Sequence, residues 1–331
     1  ESRGRGDVYK RQLVLVGGGD NLLTVQAKET KEGIERASLA SLADQSAAKL
    51  KEEGRTKVQL VFDDSLFGND PLNPAWGDNG PAGGWVAPIT PLGIDGGRAD
   101  GTPYGPKVED PSLEAAKAFA QLLTERGITV EAESTRASAP EGAREIGAVH
   151  SAPLRDLIEH TLLYSDNSLA ETLARLSAVH TGRPGTVAGA REAVKAELDD
   201  VAREGGFTTE GLVIADNSGL SKDNRISPLL LAQLTAWASG EAPIAIKDTF
   251  ALVPIGGLTG TLTKRFGEDG AAQARGIVRG KTGTLSGTST LAGTMVLADG
   301  RVVGYAIFAY GSTSAGYGEA RAVVDLSLIH I

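Results

Sequence analysis

From Gly276 onward the chain takes on a pattern that an antiparallel sheet satisfies best. Gly276 to Thr284, Thr288 to Ala298 and Arg301 to Tyr310 are rich in β-branched and apolar residues. Such runs read as strands. Asp299-Gly300 lies between the last two, and a short hairpin turn needs residues of that kind, which tolerate positive φ. The stretches before these runs have helical spacing: Pro153 to Tyr164, Ser168 to Val179, Val187 to Glu204, and Ile226 to Ser239, opened by Pro228. Ser314 to Asp325 closes with another helix. Helices followed by antiparallel strands predict an α+β domain, with helices laid on an antiparallel sheet.

The first half of the chain has a different grammar. Leu13 to Val16 followed by Gly17-Gly18-Gly19-Asp20 predicts a buried strand ending in a tight turn. Ile34 to Glu53 has helical spacing, with Leu39, Leu42 and Leu50 on one face. Lys57 to Phe62 alternates as a strand and Asp63-Asp64-Ser65 ends it, which completes an α/β unit with a short connection. Gly68 to Pro111 is rich in Gly, Pro, Asn and Asp, with Trp76 and Trp85 embedded, and a loop of that length is usually functional. Pro111 to Arg126 is a helix opened by Pro and followed by Gly127. A connector at Arg136 to Arg144 sets the expected domain boundary, with an α/β domain at 13–144 and a second domain at 145–325.

Charge and composition exclude several classes. A net charge of −9 over 331 residues lacks the basic footprint of a nucleic-acid binder. No apolar run reaches the ~18 residues of a membrane span. The chain has no cysteine, so disulfides, thiolate metal sites and cysteine nucleophiles are excluded. His150, His160, His180 and His330 show no metal-binding spacing, and the first three read as ordinary helix or loop residues. Neither a metal nor another cofactor is expected, and neither is a Ser-His-Asp triad.

The two ends carry a separate signal. Asp7 to Gln12 can be encoded by GAT GTG TAT AAG AGA CAG. The reverse complement of that string translates as Leu-Ser-Leu-Ile-His-Ile, which is Leu326 to Ile331. Residues 1–12 and 326–331 are therefore expected to be translated adaptor sequence and are set aside in reading the fold. Under that expectation the true N-terminus is unseen, and a missing signal peptide says nothing about compartment.

Two short motifs carry chemistry. Lys281-Thr282-Gly283-Thr284 lies on a predicted strand. An ammonium attracts a carboxylate, the hydroxyls of Thr282 and Thr284 donate to it, and Gly283 lets a ligand backbone approach. Gly276 to Thr282 also nearly fits a phosphate loop, but one residue is missing between the glycines and β-branched sequence follows where a helix is required. Ser165-Asp166-Asn167 sits between two predicted helices. It has an ordinary reading as well, because Ser168-Leu169-Ala170-Glu171 fits a helix capping box.

Together, in that order, the motifs resemble the penicillin-binding protein and serine β-lactamase superfamily. Leu13 to Asp20, Asp216 to Ser221 and Arg279 to Leu285 narrow the likeness to the low-molecular-mass D-Ala-D-Ala carboxypeptidase/endopeptidase family that has a large insertion in its catalytic domain. The resemblance covers nearly all of Leu13 to Asp325. It implies a penicillin-binding protein/serine β-lactamase-like transpeptidase fold with an inserted α/β domain. One departure is Asn217, where the family pattern has Gly, so the local turn is expected to differ. The family's Ser-x-x-Lys nucleophile precedes the insertion and is expected upstream of Leu13. Ser46-Ala47-Ala48-Lys49 is expected to be a decoy, lying mid-helix in a Lys/Glu-rich stretch of the insertion.

The resemblance further implies acyl transfer in two steps on peptidoglycan stem peptides ending in D-Ala-D-Ala, with β-lactams as inhibitors and an extracytoplasmic location. Ser165 would relay a proton to the leaving amine, Asn167 would hold the substrate amide, and Lys281 would stabilise the anionic end of the substrate. Thr282 and Thr284 would bind the terminal carboxylate beside Gly283, and the Thr284 N–H would supply half of an oxyanion hole. Relatives use an acid and aromatics from the long loop to read a diaminopimelate side chain, which makes Trp76, Asp78 and Trp85 candidates. The tryptophans read equally well as packing within the insertion. Without its nucleophile, this fragment is expected to be inert. A serine β-lactamase and a non-catalytic peptide-binding module are the alternatives.

Overall fold

A computed structural model describes residues 12–27, 34–102, 105–267, 271–310 and 317–328. Two compact units emerge. The first holds the described residues up to Pro153 together with Ser168–Ala193, and the second holds Leu154–Asn167 and the chain from Val194 onward. This division differs from a single boundary at 144, because some of the helical middle of the chain folds with the first unit.

In the first unit, β1 (Gln12–Val16), β3 (Lys57–Asp63), β5 (Thr129–Val130) and β6 (Thr135–Arg136) form a sheet in which β3 pairs in parallel with each of the others. Parallel neighbours need a crossover. Two helices supply it: α1 (Leu39–Glu52), before β3, and α2 (Pro111–Glu125), before β5. The short strands β2 (Asp20–Leu23) and β4 (Leu92–Ile94) pair in parallel separately. Leu13, Leu15, Leu39, Leu50, Leu60, Phe62, Phe119 and Leu122 fill one core between strands and helices. Each such side chain removed from water contributes roughly 1.5–3 kcal/mol.

Local chemistry sets the helix ends. Ser38 accepts from the Ser41 N–H and opens α1 later than Ile34. The Asp110 carboxylate accepts from Leu113 N–H, Pro111 takes the first turn of α2, and Gly127 ends it at φ +78°. The long loop is not structureless: Pro74–Asn79, Pro81–Gly83 and Asp95–Gly97 are 3-10 turns. It is pinned by Arg175. This side chain, 1% exposed, donates to Asp70 Oδ1 (3.1 Å), the Asp70 carbonyl (2.6 Å) and the Gly185 carbonyl (3.1 Å). Asp70 Oδ2 accepts from the Val187 N–H at 2.8 Å.

The second unit is built on an antiparallel sheet in the order β7 (Val278–Leu285), β8 (Thr288–Val296), β9 (Val302–Tyr310). Asp299 and Gly300 (φ +86°) turn β8 into β9, as the hairpin signal predicts. Helix α6 (Pro228–Ser239) packs on β8 and β9, and an added Cβ at Gly304 would meet the Ala232 carbonyl at 2.3 Å. Helix α8 (Tyr317–Ser327) also packs on this sheet. The remaining helices are α3 (Leu154–Tyr164), α4 (Asn167–His180), α5 (Val187–Glu204) and the short α7 (Ile244–Phe250), which the sequence pattern did not announce.

Residues 1–11 and 329–331 of the expected adaptor sequence lie outside the described residues. Gln12 joins β1, and Leu326 and Ser327 continue α8 into buried Leu328. Ser168 does not open a capping box, because α4 begins one residue earlier, at Asn167; its Oγ instead accepts from the Ala87 N–H at 2.9 Å. At the Asp216 turn, Asn217 is not in the left-handed region, and Gly219 (φ +85°) takes that conformation. Asp216 gathers Gly219, Leu220 and Ser221 N–H groups and the Ser218 hydroxyl, so its carboxylate organises the turn without a glycine at 217.

Candidate active site

Ser165 stands between α3 and α4 with φ +57°, a left-handed conformation that costs a residue with a Cβ roughly 1–2 kcal/mol. Asp166, buried, follows it, and Asn167 begins α4. Lys281 reaches this turn from β7. Its Nζ donates to Ser165 Oγ at 2.6 Å and to the Thr282 carbonyl at 2.8 Å. The two sequence motifs, 116 residues apart, therefore meet inside one unit. Burial lowers the Lys281 ammonium to about 8, since a desolvated cation is disfavoured.

Thr282 Oγ1 donates to Thr261 Oγ1 at 3.0 Å. Thr261 lies in the 3-10 turn Gly260–Leu262, and an added Cβ at Gly260 would meet the Leu163 carbonyl at 2.7 Å, so this turn sits close against the end of α3. Nothing in its local sequence singles out Thr261, because its place depends on a contact 21 residues away. His160 is a second unforeseen neighbour. It is buried in α3, with Nε2 3.6 Å from Asp166 Oδ2 and its ring 4.9 Å from that of Tyr164. Sequence reading placed it as an ordinary helix residue, and helical it is.

Gly283 has a structural reason that spacing did not reveal. A Cβ there would lie 2.4 Å from Thr290 Oγ1 on β8, so a side chain at 283 would require the Thr290 hydroxyl to move. The outer edge of β7 is closed at its start by Gly256 N–H to Val278 O and Gly280 N–H to Pro254 O, 2.8 and 2.9 Å. Among the described residues, no backbone hydrogen bond continues along that edge beside Thr282, Gly283 and exposed Thr284. An open strand edge can receive an extended peptide.

Trp76, Asp78 and Trp85 belong to the first unit. Trp76 is buried, with Nε1 3.4 Å from Glu171 Oε1, whereas Asp78 is exposed and Trp85 half-exposed. A cleft of about 310 Å³ in the same unit is lined by Asp64, Phe67, Ile89, Asp110 and Arg136 among others, and contains none of these three. Arg136 spans Asp64 and Asp110 there, so its charges are largely satisfied internally. Ser46 is 3% exposed within α1, and Lys49 turns to Glu52 at 2.7 Å. A hydroxyl enclosed in that way offers no approach to a substrate.

The buried ammonium carries a stability consequence. Well below pH 8 Lys281 is protonated in both states and its burial penalty is fully felt. Between 8 and the ordinary lysine value of ~10.4 the unfolded chain binds the extra proton, so stability rises with pH. Urea unfolding at about pH 7.5 and about pH 10 should show the wild-type chain gaining up to ~3 kcal/mol relative to Lys281→Met. Burial holds the Tyr305 hydroxyl above its usual range, and that effect is common to both proteins. Equal changes in the two would exclude Lys281 as the source.

The D-Ala-D-Ala carboxypeptidase 3 (S13) family matches residues 2–104 and 98–327. The chain belongs to that family. It is 34% identical over 307 residues to carboxypeptidase DacB of Mycolicibacterium smegmatis, covering 92% of this chain and 64% of the relative. It is 33% identical, over 92% of this chain and 63% of the relative, to a carboxypeptidase of Mycobacterium tuberculosis. The chain thus spans somewhat under two thirds of the length of these S13 relatives. The crystal structure of penicillin binding protein 4 from Haemophilus influenzae superposes with a TM-score of 0.71 at 21% identity, covering 96% of this chain and 81% of that one. That likeness shows that the chain shares the fold of that protein.

Proposed function

We propose that the whole protein is a serine-type D-Ala-D-Ala carboxypeptidase or endopeptidase acting through an acyl-enzyme on peptidoglycan stem peptides, outside the cytoplasm. The observation that carries this reading is the contact between Lys281 and Ser165 beside the open edge of β7. On that edge a peptide ending in D-Ala lies as an added strand, with its carboxylate at the hydroxyls of Thr282 and Thr284 and near the Lys281 charge. Ser165 passes a proton to the departing amine, and Lys281 Nζ, at 2.6 Å, replenishes it. Asn167 holds the substrate amide, and Thr284 brings its backbone N–H to the acyl oxygen. The reaction needs a nucleophile that enclosed Ser46 does not provide, so the 331-residue chain alone is expected to release no D-Ala.

β-Lactams mimic the same acyl donor, and a structure of the Haemophilus influenzae protein is described as complexed with a novel β-lactam, which supports inhibition by this class. Trp76, Asp78 and Trp85, in the loop before β4 of the first unit, are proposed as a group that reads a diaminopimelate side chain, on the strength of the family resemblance alone. The test uses an N-acylated peptide ending in D-Ala-D-Ala and its C-terminal amide, with binding to the 331-residue chain followed by NMR. The acid should bind at least ~10-fold more tightly than the amide, and Thr282→Val and Lys281→Met should each remove that preference. Equal binding of acid and amide would sink the proposal, and hydrolysis of a cephalosporin without peptide binding would favour a β-lactamase.

A further inference from the structure

We infer that Ser165 and Lys281 also form a self-contained nucleophilic pair, in which Ser165 accepts an acyl group from small activated esters. This activity is independent of recognising D-Ala-D-Ala. Three observations carry it, all within the second unit. Lys281 Nζ lies 2.6 Å from Ser165 Oγ, the separation a general base needs. A third group fixes the base, since Nζ also donates to the Thr282 carbonyl at 2.8 Å; nucleophile, base and orienting group are the components of an activated serine. Ser165 occupies a left-handed turn at the head of α4 and is partly exposed, so its hydroxyl stands at a sharp bend within reach of solvent. A serine on a strained turn is a recurrent way to present a nucleophile.

Burial alone lowers Lys281 to about 8, so roughly one molecule in ten holds a neutral amine at neutral pH, and most do at about pH 9. In the reaction, neutral Lys281 takes the Ser165 proton as the bond from Oγ to the acyl carbon forms. The bond from that carbon to the leaving oxygen breaks, and the leaving group departs as an anion. The products are acyl-Ser165, the leaving anion and the Lys281 ammonium. The donors that suit the pair are esters whose leaving group is stable as an anion, because such a group departs without needing a proton.

The 331-residue chain treated with p-nitrophenyl acetate should give a burst of about one equivalent of p-nitrophenolate, with the acetyl group mapped to Ser165 by peptide mass spectrometry. The acylation rate should rise with pH around a midpoint close to 8, the Lys281 value. Ser165→Gly suits φ +57° and should keep the thermal transition while abolishing the adduct. Lys281→Arg retains a cation that cannot act as a base, and should slow acylation at least ~100-fold. Acetyl groups found instead on Lys281 or scattered over surface lysines would overturn the inference, as would a folded Lys281→Arg chain reacting at the wild-type rate.

Discussion

Gly293→Ala should cost the second unit at least ~3 kcal/mol of unfolding free energy, and with it the contact between Ser165 and Lys281. Gly293 faces Gly280 across the β7–β8 ladder. A Cβ at 293 would stand 1.9 Å from the Arg279 carbonyl and 2.5 Å from the Gly280 Cα. Both obstacles are backbone, so relief requires the two strands to move apart immediately beside Lys281. Gly267→Ala is the control: its Cβ would meet nothing within 4 Å, and its φ is not positive. Chemical denaturation should separate the two variants clearly. The fluorescence or NMR signature of bound D-Ala-D-Ala peptide should vanish in the first and persist in the second. Comparable stability of both would mean that the sheet tolerates a wider spacing than its glycines imply.

Arg175→Ala should destabilise the first unit by about 3–5 kcal/mol. The wild-type side chain is enclosed and makes three hydrogen bonds, two to Asp70 and one to Gly185. Its removal leaves the Gly185 and Asp70 carbonyls short of a donor and opens space beside the Phe67 ring, over which the guanidinium sits at 5.7 Å. Asp70 still receives the Val187 N–H, so α5 keeps one anchor while the loop before β4 loses its own. Limited proteolysis should therefore cut between 64 and 90 before it cuts α5. Arg175→Lys should recover only a fraction of the loss, because a point-like ammonium cannot span acceptors in two segments. A wild-type proteolysis pattern in Arg175→Ala would show that the loop holds without this anchor.

The sheet and the helices were legible because each depends on local periodicity or on residue types with narrow chemistry, whereas the two motifs were linked only through the family resemblance. Asp299-Gly300 announced its hairpin, and Pro111 and Gly127 bracketed their helix. What escaped was set by distant contacts. Ser168 has the spelling of a capping residue, yet its hydroxyl is claimed by Ala87, 81 residues away. Gly283 reads as an opening for a ligand, and a side chain there would also press on the Thr290 hydroxyl of the next strand. Thr261 and His160 gain their places from tertiary packing that no short window contains. Trp76 was read both as a binding residue and as packing, and its burial against Glu171 depends on an element 95 residues later.

The split make-up of the first unit sets the order in which the chain can assemble. Asn21 donates to Thr172 at 2.9 Å across 151 residues, and the loop anchor Arg175 belongs to the same late segment. A chain growing from its N-terminus can form β1, α1, β3 and α2 early, but it cannot seal them until residues near 193 have emerged. Ser165 and Asp166 are made before that moment, and Lys281 long after it. Such distant pairing slows folding, because ring closure must precede the contacts that reward it. The Ser165–Lys281 pair thus joins residues from opposite sides of a segment that folds with the first unit.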